Sequence, residues 1–251
     1  MSKENLSLSP VCRAESGGKF IPNVAVNCLI LGFDAGYLKL LLYRNKETQE
    51  WIIPGSYIAE SEDVGDAVLR VLHHRTGLKD SYIKQFFFFD KKEKTNANGN
   101  SGNELLYSSR FISLCYYALV KHDKTKVNCE CHEEIEWFDI NNLPVIHPSH
   151  EEIIDKALFT LRQQIGFLPL GYELLPEKFT MPELRNIYEA VLGREIDRRN
   201  FQRKMLSIGY IKPLNETRKM GAHKSPNLYS FDKKKYKEAE ENGLQIMSNN
   251  L

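Results

Sequence analysis

Apolar positions along the chain fall into two kinds of block, and the spacing within each predicts its conformation. Residues 23–33 form an almost continuous apolar run of strand type. Gly36 then turns the chain and residues 38–44 run apolar again, so the two segments predict a hairpin. Residues 82–91, with Phe86, Phe87, Phe88 and Phe89 in succession, predict a strand covered on both faces. A further strand is predicted over 110–120 and a short edge strand over 135–139, while the Asn- and Gly-rich residues 92–103 read as a mobile loop. The period then changes. Between 147 and 165, Ile153, Ile154, Ala157, Leu158, Leu161 and Ile165 recur at three and four, which predicts an amphipathic helix with Gly166 as its stop.

After a bridge over 167–176, the pattern is helical twice more. Thr180-Met181-Pro182-Glu183 is a capping box, Leu184, Ile187, Tyr188, Val191 and Leu192 give the following helix a buried stripe, and Gly193 ends it. Asp197 caps the next helix, whose Phe201, Met205 and Ile208 face inward while Arg198, Arg199, Gln202 and Arg203 face out, and Gly209 ends it. Residues 210–214 and 227–231 then predict a hairpin, with Arg218, Lys219, His223 and Lys224 at its tip. Helix, turn, basic helix and basic hairpin make the layout of a winged helix-turn-helix, with the second helix as the one that enters the major groove of duplex DNA.

Charge sharpens this reading. The overall net charge is +1, yet residues 194–235 hold twelve Lys and Arg against four Asp and Glu, a local +8 that leaves −7 on the remainder. A basic end on an acidic body predicts a polyanion partner for that end alone. Arginine and glutamine are side chains that read guanine and adenine edges bidentately. The run Lys233 to Lys235 is read as a solubilising tail. At 251 residues and 42% hydrophobic content the length favours two modest domains, divided as 1–165 and 166–251. The first residues lack the pattern of a signal peptide and no apolar run is long enough to span a membrane, so a cytoplasmic protein without a membrane partner is expected. Five cysteines, an odd number, read as reduced thiols, and Cys129-Glu130-Cys131-His132 lacks the second pair that a zinc site needs.

Residues 51–78 read as strand, tight turn and a helix stopped at Gly77, and this stretch resembles the Nudix box, Gly-x5-Glu-x7-Arg-Glu-U-x-Glu-Glu-x-Gly-U with U apolar. With Gly77-Leu78 laid on its end, Glu62, Arg70 and Leu72 match. The first glycine falls on Ser56, and the three helix carboxylates fall on Val71, His74 and Arg75. In hydrolases of the family those carboxylates hold Mg2+ against a diphosphate, since hard cations take oxygen ligands. A valine, an imidazole and a guanidinium do not, so the resemblance implies the fold without catalytic residues, metal or cofactor. Glu62 then reads as a charge at a helix N-terminus, and the adjacent His73 and His74 as surface residues.

The second half carries a longer resemblance. Glu173-Leu174-Leu175-Pro176, Phe179-Thr180, Leu184, Tyr188, Gly193, Asp197, Arg199-Asn200-Phe201, Arg203-Lys204 and Gly209, behind a degenerate Nudix box, are similar to the Nudix-related transcriptional regulators of the NrtR type. That resemblance implies an α/β Nudix-type α/β/α sandwich followed by a C-terminal winged helix-turn-helix domain. It also implies homodimers on palindromic double-stranded operators, with the Nudix domain as effector sensor. Arg198, Arg199, Asn200, Gln202, Arg203 and Lys204 are the expected DNA contacts of the recognition helix. Arg218, Lys219, His223 and Lys224 are those of the wing, chiefly to phosphates. Branches of the family sense ADP-ribose or sugars. Without Mg2+ ligands to meet a diphosphate, a neutral pentose such as arabinose is placed ahead of ADP-ribose, although Arg75 offers a counter-charge. The candidate effector residues are Tyr43, Arg44, Trp51, Tyr57, Arg75, Phe88, Glu104 and Glu136. Two rivals stay open: a divergent Nudix hydrolase, and a ligand-binding module whose basic end meets RNA or protein.

Overall fold

A computed structural model describes residues 19–44, 49–79, 81–92, 110–122, 125, 134–166, 170–218 and 225–241. The loop expected over 92–103 and the Cys129–Cys131 cluster lie almost wholly outside these residues.

The long apolar run forms β1 (Phe20–Asp34), which turns at Ala35 and Gly36 into β2 (Tyr37–Arg44). Both turn residues have positive φ, 50° and 91°, the geometry whose twist matches that of paired strands. The remaining strands of this sheet are β3 (Trp51–Ile52), β4 (Gly55–Ala59), β5 (Tyr82–Lys92), β6 (Arg110–Leu119) and β7 (Ile135–Asp139). They stand in the order β3-β2-β1-β6-β5, with β4 also paired to β1 and β7 to β2. β1 and β6 run parallel, as strands do when both faces are covered.

One face of the sheet buries Cys28, Ile30, Leu41 and Tyr43 against Ala67, Val68, Val71 and Leu72 of α1 (Val64–Thr76). The other buries Leu29, Leu31, Leu40 and Leu42 against Ile153, Ile154, Ala157 and Leu161 of α2 (Pro148–Gln164). The result is the expected α/β/α sandwich. Gly77 ends α1 in the left-handed conformation, as anticipated.

Two details of this half differ from expectation. Gly166 stands just past the end of α2 as expected, but it does not close the helix in the left-handed conformation, because the cap is a right-handed Ile165. Nor is β5 covered on both faces. It is the last strand of the sheet, α1 packs chiefly over β1 and β4, and Phe88 is left 49% exposed while Phe86, Phe87 and Phe89 pack on the α2 side.

The second unit comprises α3 (Leu170–Leu174), β8 (Phe179–Thr180), α4 (Met181–Leu192), α5 (Arg198–Ile208), β9 (Ile211–Thr217), β10 (Asn227–Phe231) and α6 (Lys233–Glu241). Its sheet order is β8-β10-β9, a winged helix with a small third strand. Both halves of the capping box form: Thr180 Oγ1 accepts from Glu183 N, and Glu183 Oε2 accepts from Thr180 N at 2.7 Å. Gly193 and Gly209 take the left-handed conformation that closes α4 and α5. Strand β9 runs three residues beyond the expected 210–214. Lys233 to Lys235 are not a tail, because they open α6, whose Tyr236 is 2% exposed and stacks on Tyr172 at 4.5 Å. A single buried aromatic among lysines and glutamates carries little periodicity, so the helix leaves little trace in the sequence.

One core runs through both units. Leu184, Ile187, Tyr188 and Val191 of α4 belong to the same cluster as β2 and α2, and Arg162 Nε of α2 donates to Val191 O at 2.7 Å. Among the described residues no helix is long and apolar enough to cross a membrane.

Candidate effector and nucleic-acid sites

At the box, Glu62 sits just ahead of the Asp63 N-cap and accepts from Ala59 N at 2.9 Å. Arg70, two turns along α1, grips the same carboxylate with a fork, Nε to Oε2 at 3.0 Å and Nη2 to Oε1 at 2.6 Å. The remaining donors of that guanidinium reach Ser56 Oγ at 2.9 Å and Tyr57 O at 3.0 Å. Glu62 is therefore the anchor of a brace that ties the 56–62 turn to α1, not simply a charge at a helix end. The hydrogen bond from Arg70 outweighs partial burial and holds its carboxyl below the usual range.

Where the family signature needs carboxylates, Val71 is buried, His74 is exposed, and Arg75 is 3% exposed. The Arg75 guanidinium lies 4.5 Å from the ring centroid of Tyr43, a cation–π contact within the α1 layer. Among the described residues no group of three or more His, Cys, Asp or Glu is assembled that could hold a metal ion.

The candidate effector residues divide between the two faces of the sheet. Tyr43 and Arg75 lie on the α1 face. Arg44 and Trp51 pair across β2 and β3, Glu136 stands opposite Leu42, and strand alternation puts all three on the other face. There Arg44 Nη1 meets Glu134 Oε2 at 3.0 Å, and Trp51 packs edge-on against Phe138 at 4.7 Å. Tyr57 lies on β4 beside Phe20, and Phe88 is out on the edge strand. Glu104 lies outside the described residues. The resemblance put these residues, Arg75 apart, on strands or strand ends near where the family's pocket opens, without assigning their faces.

On the winged helix, Asp197 accepts from Asn200 N at 2.8 Å, which fixes the start of α5. Phe201 and Met205 are buried beneath it. Arg198, Arg199, Asn200 and Arg203 are exposed, and Arg203 Nη2 donates to Asn200 Oδ1 at 2.9 Å. Gln202 is half-buried and donates to Tyr229 Oη at 3.3 Å, so its amide is part of the joint between α5 and the wing. Lys204 is half-buried too, and desolvation lowers its pKa.

Arg218 at the wing base is engaged with protein: Nη1 donates to Glu183 Oε1 at 2.8 Å and Nη2 to Lys178 O at 2.7 Å. Lys219, His223 and Lys224 lie outside the described residues. Lys178 and Lys212 also carry charge here, paired with Glu216 at 2.6 Å and Asp232 at 2.7 Å; both acids count among the four of residues 194–235, but composition does not show which lysine each meets.

A cleft of about 950 Å³ separates the β1–β2 turn from α4, with Phe33, Asp34, His122, Leu174, Arg185 and Arg198 on its walls. Its lining comes from segments far apart in the chain, so no motif announces it.

Two family models match the chain: the NUDIX domain over residues 21–157 and the NrtR DNA-binding winged helix domain over residues 171–231. The chain is 23% identical over 217 residues to the ADPR responsive transcriptional repressor NtrR of Acinetobacter baylyi, which covers 84% of this chain and 82% of that protein. Its fold is similar to that of Shewanella oneidensis NrtR complexed with a 27mer DNA, with a TM-score of 0.66 and 24% identity over 83% of this chain and 93% of that one. It is also similar to a MutT/nudix family protein from Enterococcus faecalis, with a TM-score of 0.64 and 21% identity over 84% and 88%.

Proposed function

This chain belongs to the NrtR-type family of Nudix-fused winged-helix transcriptional regulators, and on that premise we propose that an effector held by its Nudix domain sets the operator affinity of its winged helix. The observation that carries this reading is the pairing of a capped, arginine-bearing α5 with a Nudix box whose metal-binding positions hold Val71, His74 and Arg75. An exposed guanidinium at the leading end of a recognition helix reaches base edges or phosphates. Side chains without oxygen ligands cannot place Mg2+ on a diphosphate.

The effector is ADP-ribose in preference to a pentose. The relative from Acinetobacter baylyi is named as ADPR responsive, whereas nothing comparable supports arabinose, so the order argued from charge alone is reversed. The diphosphate then has to be met by protein cations and backbone donors, and the protein does not hydrolyse it. Two copies form a homodimer on a palindromic duplex, with residues 1–165 as sensor and 166–251 as reader.

Calorimetric titration of the full chain with ADP-ribose in EDTA, beside a turnover assay in Mg2+, tests the sensor reading. Saturable binding in EDTA with no phosphate ester released in Mg2+ is expected. Turnover that disappears in Glu62→Gln would restore the hydrolase alternative.

A further inference from the structure

We propose that the cleft between the β1–β2 turn and α4 is a second ligand site, one that takes a small phosphate-bearing anion and ties the sensor to the reader. It stands apart from the Nudix box and does not depend on which effector the box receives.

The cleft has the size and character of a ligand site. At about 950 Å³ it lies between two domains, where small-molecule sites concentrate, and Phe33 and Leu174 give it an apolar wall. Three of its polar side chains, Arg185, Asn186 and Arg198, present donors with no hydrogen-bond partner among the described residues. Arg185 has one ion pair among the described residues, Nε to Glu189 Oε1 at 3.3 Å, without hydrogen-bond geometry. Both terminal nitrogens of its guanidinium are without a partner among the described residues, and the side chain is 25% exposed. Arg198 and the amide of Asn186 have no hydrogen-bond partner among the described residues either. Only Nε is buried, so the terminal nitrogens stay accessible to a ligand, and their planar fork fits phosphate oxygens.

Glu189 competes only for Nε of Arg185, and its Oε1 also accepts from Ile196 N at 2.8 Å. Glu183 also lines the cleft, but Oε1 is held by Arg218, and Oε2 by Thr180 N and Oγ1. Asp34 sits at the rim, 54% exposed and 4.0 Å from His122. With Glu183 neutralised by Arg218, Arg185 and Arg198 stand in the lining against Asp34 alone, which favours an anion as the occupant. Arg185 and Arg198 also line an adjoining cavity of about 270 Å³ that runs beneath Phe201 and Gln202 of the recognition helix, which leaves room for an organic portion behind the phosphate.

The position gives the site its consequence. The Asn186 amide packs against the turn at Gly36, where even an added methyl would come within 3.3 Å of its nitrogen. An anion held by Arg185 and Asn186 beside that turn would therefore bear on sensor and reader together. Its occupancy would shift operator affinity to the extent that it favours one arrangement of the two.

The test uses pyrophosphate as probe on the full chain at low salt, with calorimetry for affinity and hydrogen exchange for location. Saturable binding is expected, with slowed exchange at residues 33–36 and 181–186. Arg185→Gln and Asn186→Asp should each weaken it by about tenfold or more, the loss of a charge-assisted contact or the gain of a repelling carboxylate, whereas Arg199→Gln leaves it unchanged. Failure to bind would overturn the proposal. So would protection confined to the box or to α5, or affinity unaltered in both cleft variants while folded and lowered by Arg199→Gln.

Discussion

Arg218 donates to Glu183 across 2.8 Å and so fastens the base of the wing to the cap of α4. Glu183 is at the same time the second half of the capping box, accepting from Thr180 N at 2.7 Å. One carboxylate therefore holds both the start of α4 and the angle of the hairpin.

Arg218 and Arg203 should consequently behave differently as alanine variants. Arg218→Ala is expected to destabilise the winged helix by about 1 kcal/mol and to leave the salt dependence of DNA binding unchanged, because its guanidinium serves protein acceptors. Arg203→Ala is expected to lose about 1–3 kcal/mol of operator affinity or to flatten the salt slope by about one ion. Salt titrations of both variants on one duplex decide the matter, and a flattened slope for Arg218→Ala would return that residue to the phosphate contacts.

Arg70 uses the geometry of its fork, so a lysine does not replace it. Arg70→Lys keeps the charge but cannot reach Glu62, Ser56 and Tyr57 together, and a loss of about 1–3 kcal/mol in urea denaturation is expected. A variant as stable as the parent would show that the brace is ornamental.

Acid should loosen the fold through His150. The ring is 1% exposed and its Nδ1 accepts from Ile53 N at 3.0 Å, which joins α2 to the segment after β3. Burial, with a smaller contribution from His147, pushes its pKa down from 6.5 to about 3. Between those values the unfolded chain takes up a proton that the folded chain refuses, so stability falls as pH falls, by up to about 1.4 kcal/mol per pH unit. Glu62 acts later. Its folded pKa is depressed below 4.5, so its contribution is present above that value and is lost as pH falls further. His150→Asn keeps an acceptor near Nδ1 without a titrating ring, and should flatten the stability profile between pH 6.5 and 4.5.

Much of this architecture could be read before any coordinates. The capping box at Thr180, the Asp197 cap, the glycines at 77, 193 and 209 and the apolar stripes are local features, fixed by residues within a few positions of one another. What escaped depends on distant segments. Alternation along β2 sends Tyr43 toward α1 and Arg44 toward α2, so neighbours in a list of candidates stand on opposite faces. The bond from Arg218 to Glu183 joins positions 35 residues apart, and the cleft at Arg185 gathers residues that no spacing connects.

Gly55 belongs with the distant features. Alignment to the box put the signature glycine on Ser56. The close approach is one residue earlier, where an added Cβ at Gly55 would collide with Asn27 Oδ1 and stand 2.8 Å from Val26 O. The second of these is backbone in a central strand and cannot retreat. Gly55→Ala should therefore cost about 1–3 kcal/mol, visible as a lowered melting temperature of the full chain, whereas Gly65→Ala, which meets nothing within 4 Å, should not.

The most direct test of the central claim is fluorescence anisotropy of the full chain on a duplex selected from a random pool, with EDTA present throughout. The account predicts specific binding over a scrambled duplex. It also predicts that ADP-ribose raises the operator Kd by about tenfold or more, the usual size of coupling between two sites, and that arabinose has no effect. Release by arabinose but not by ADP-ribose, or equal affinity for operator and scrambled DNA, would contradict it.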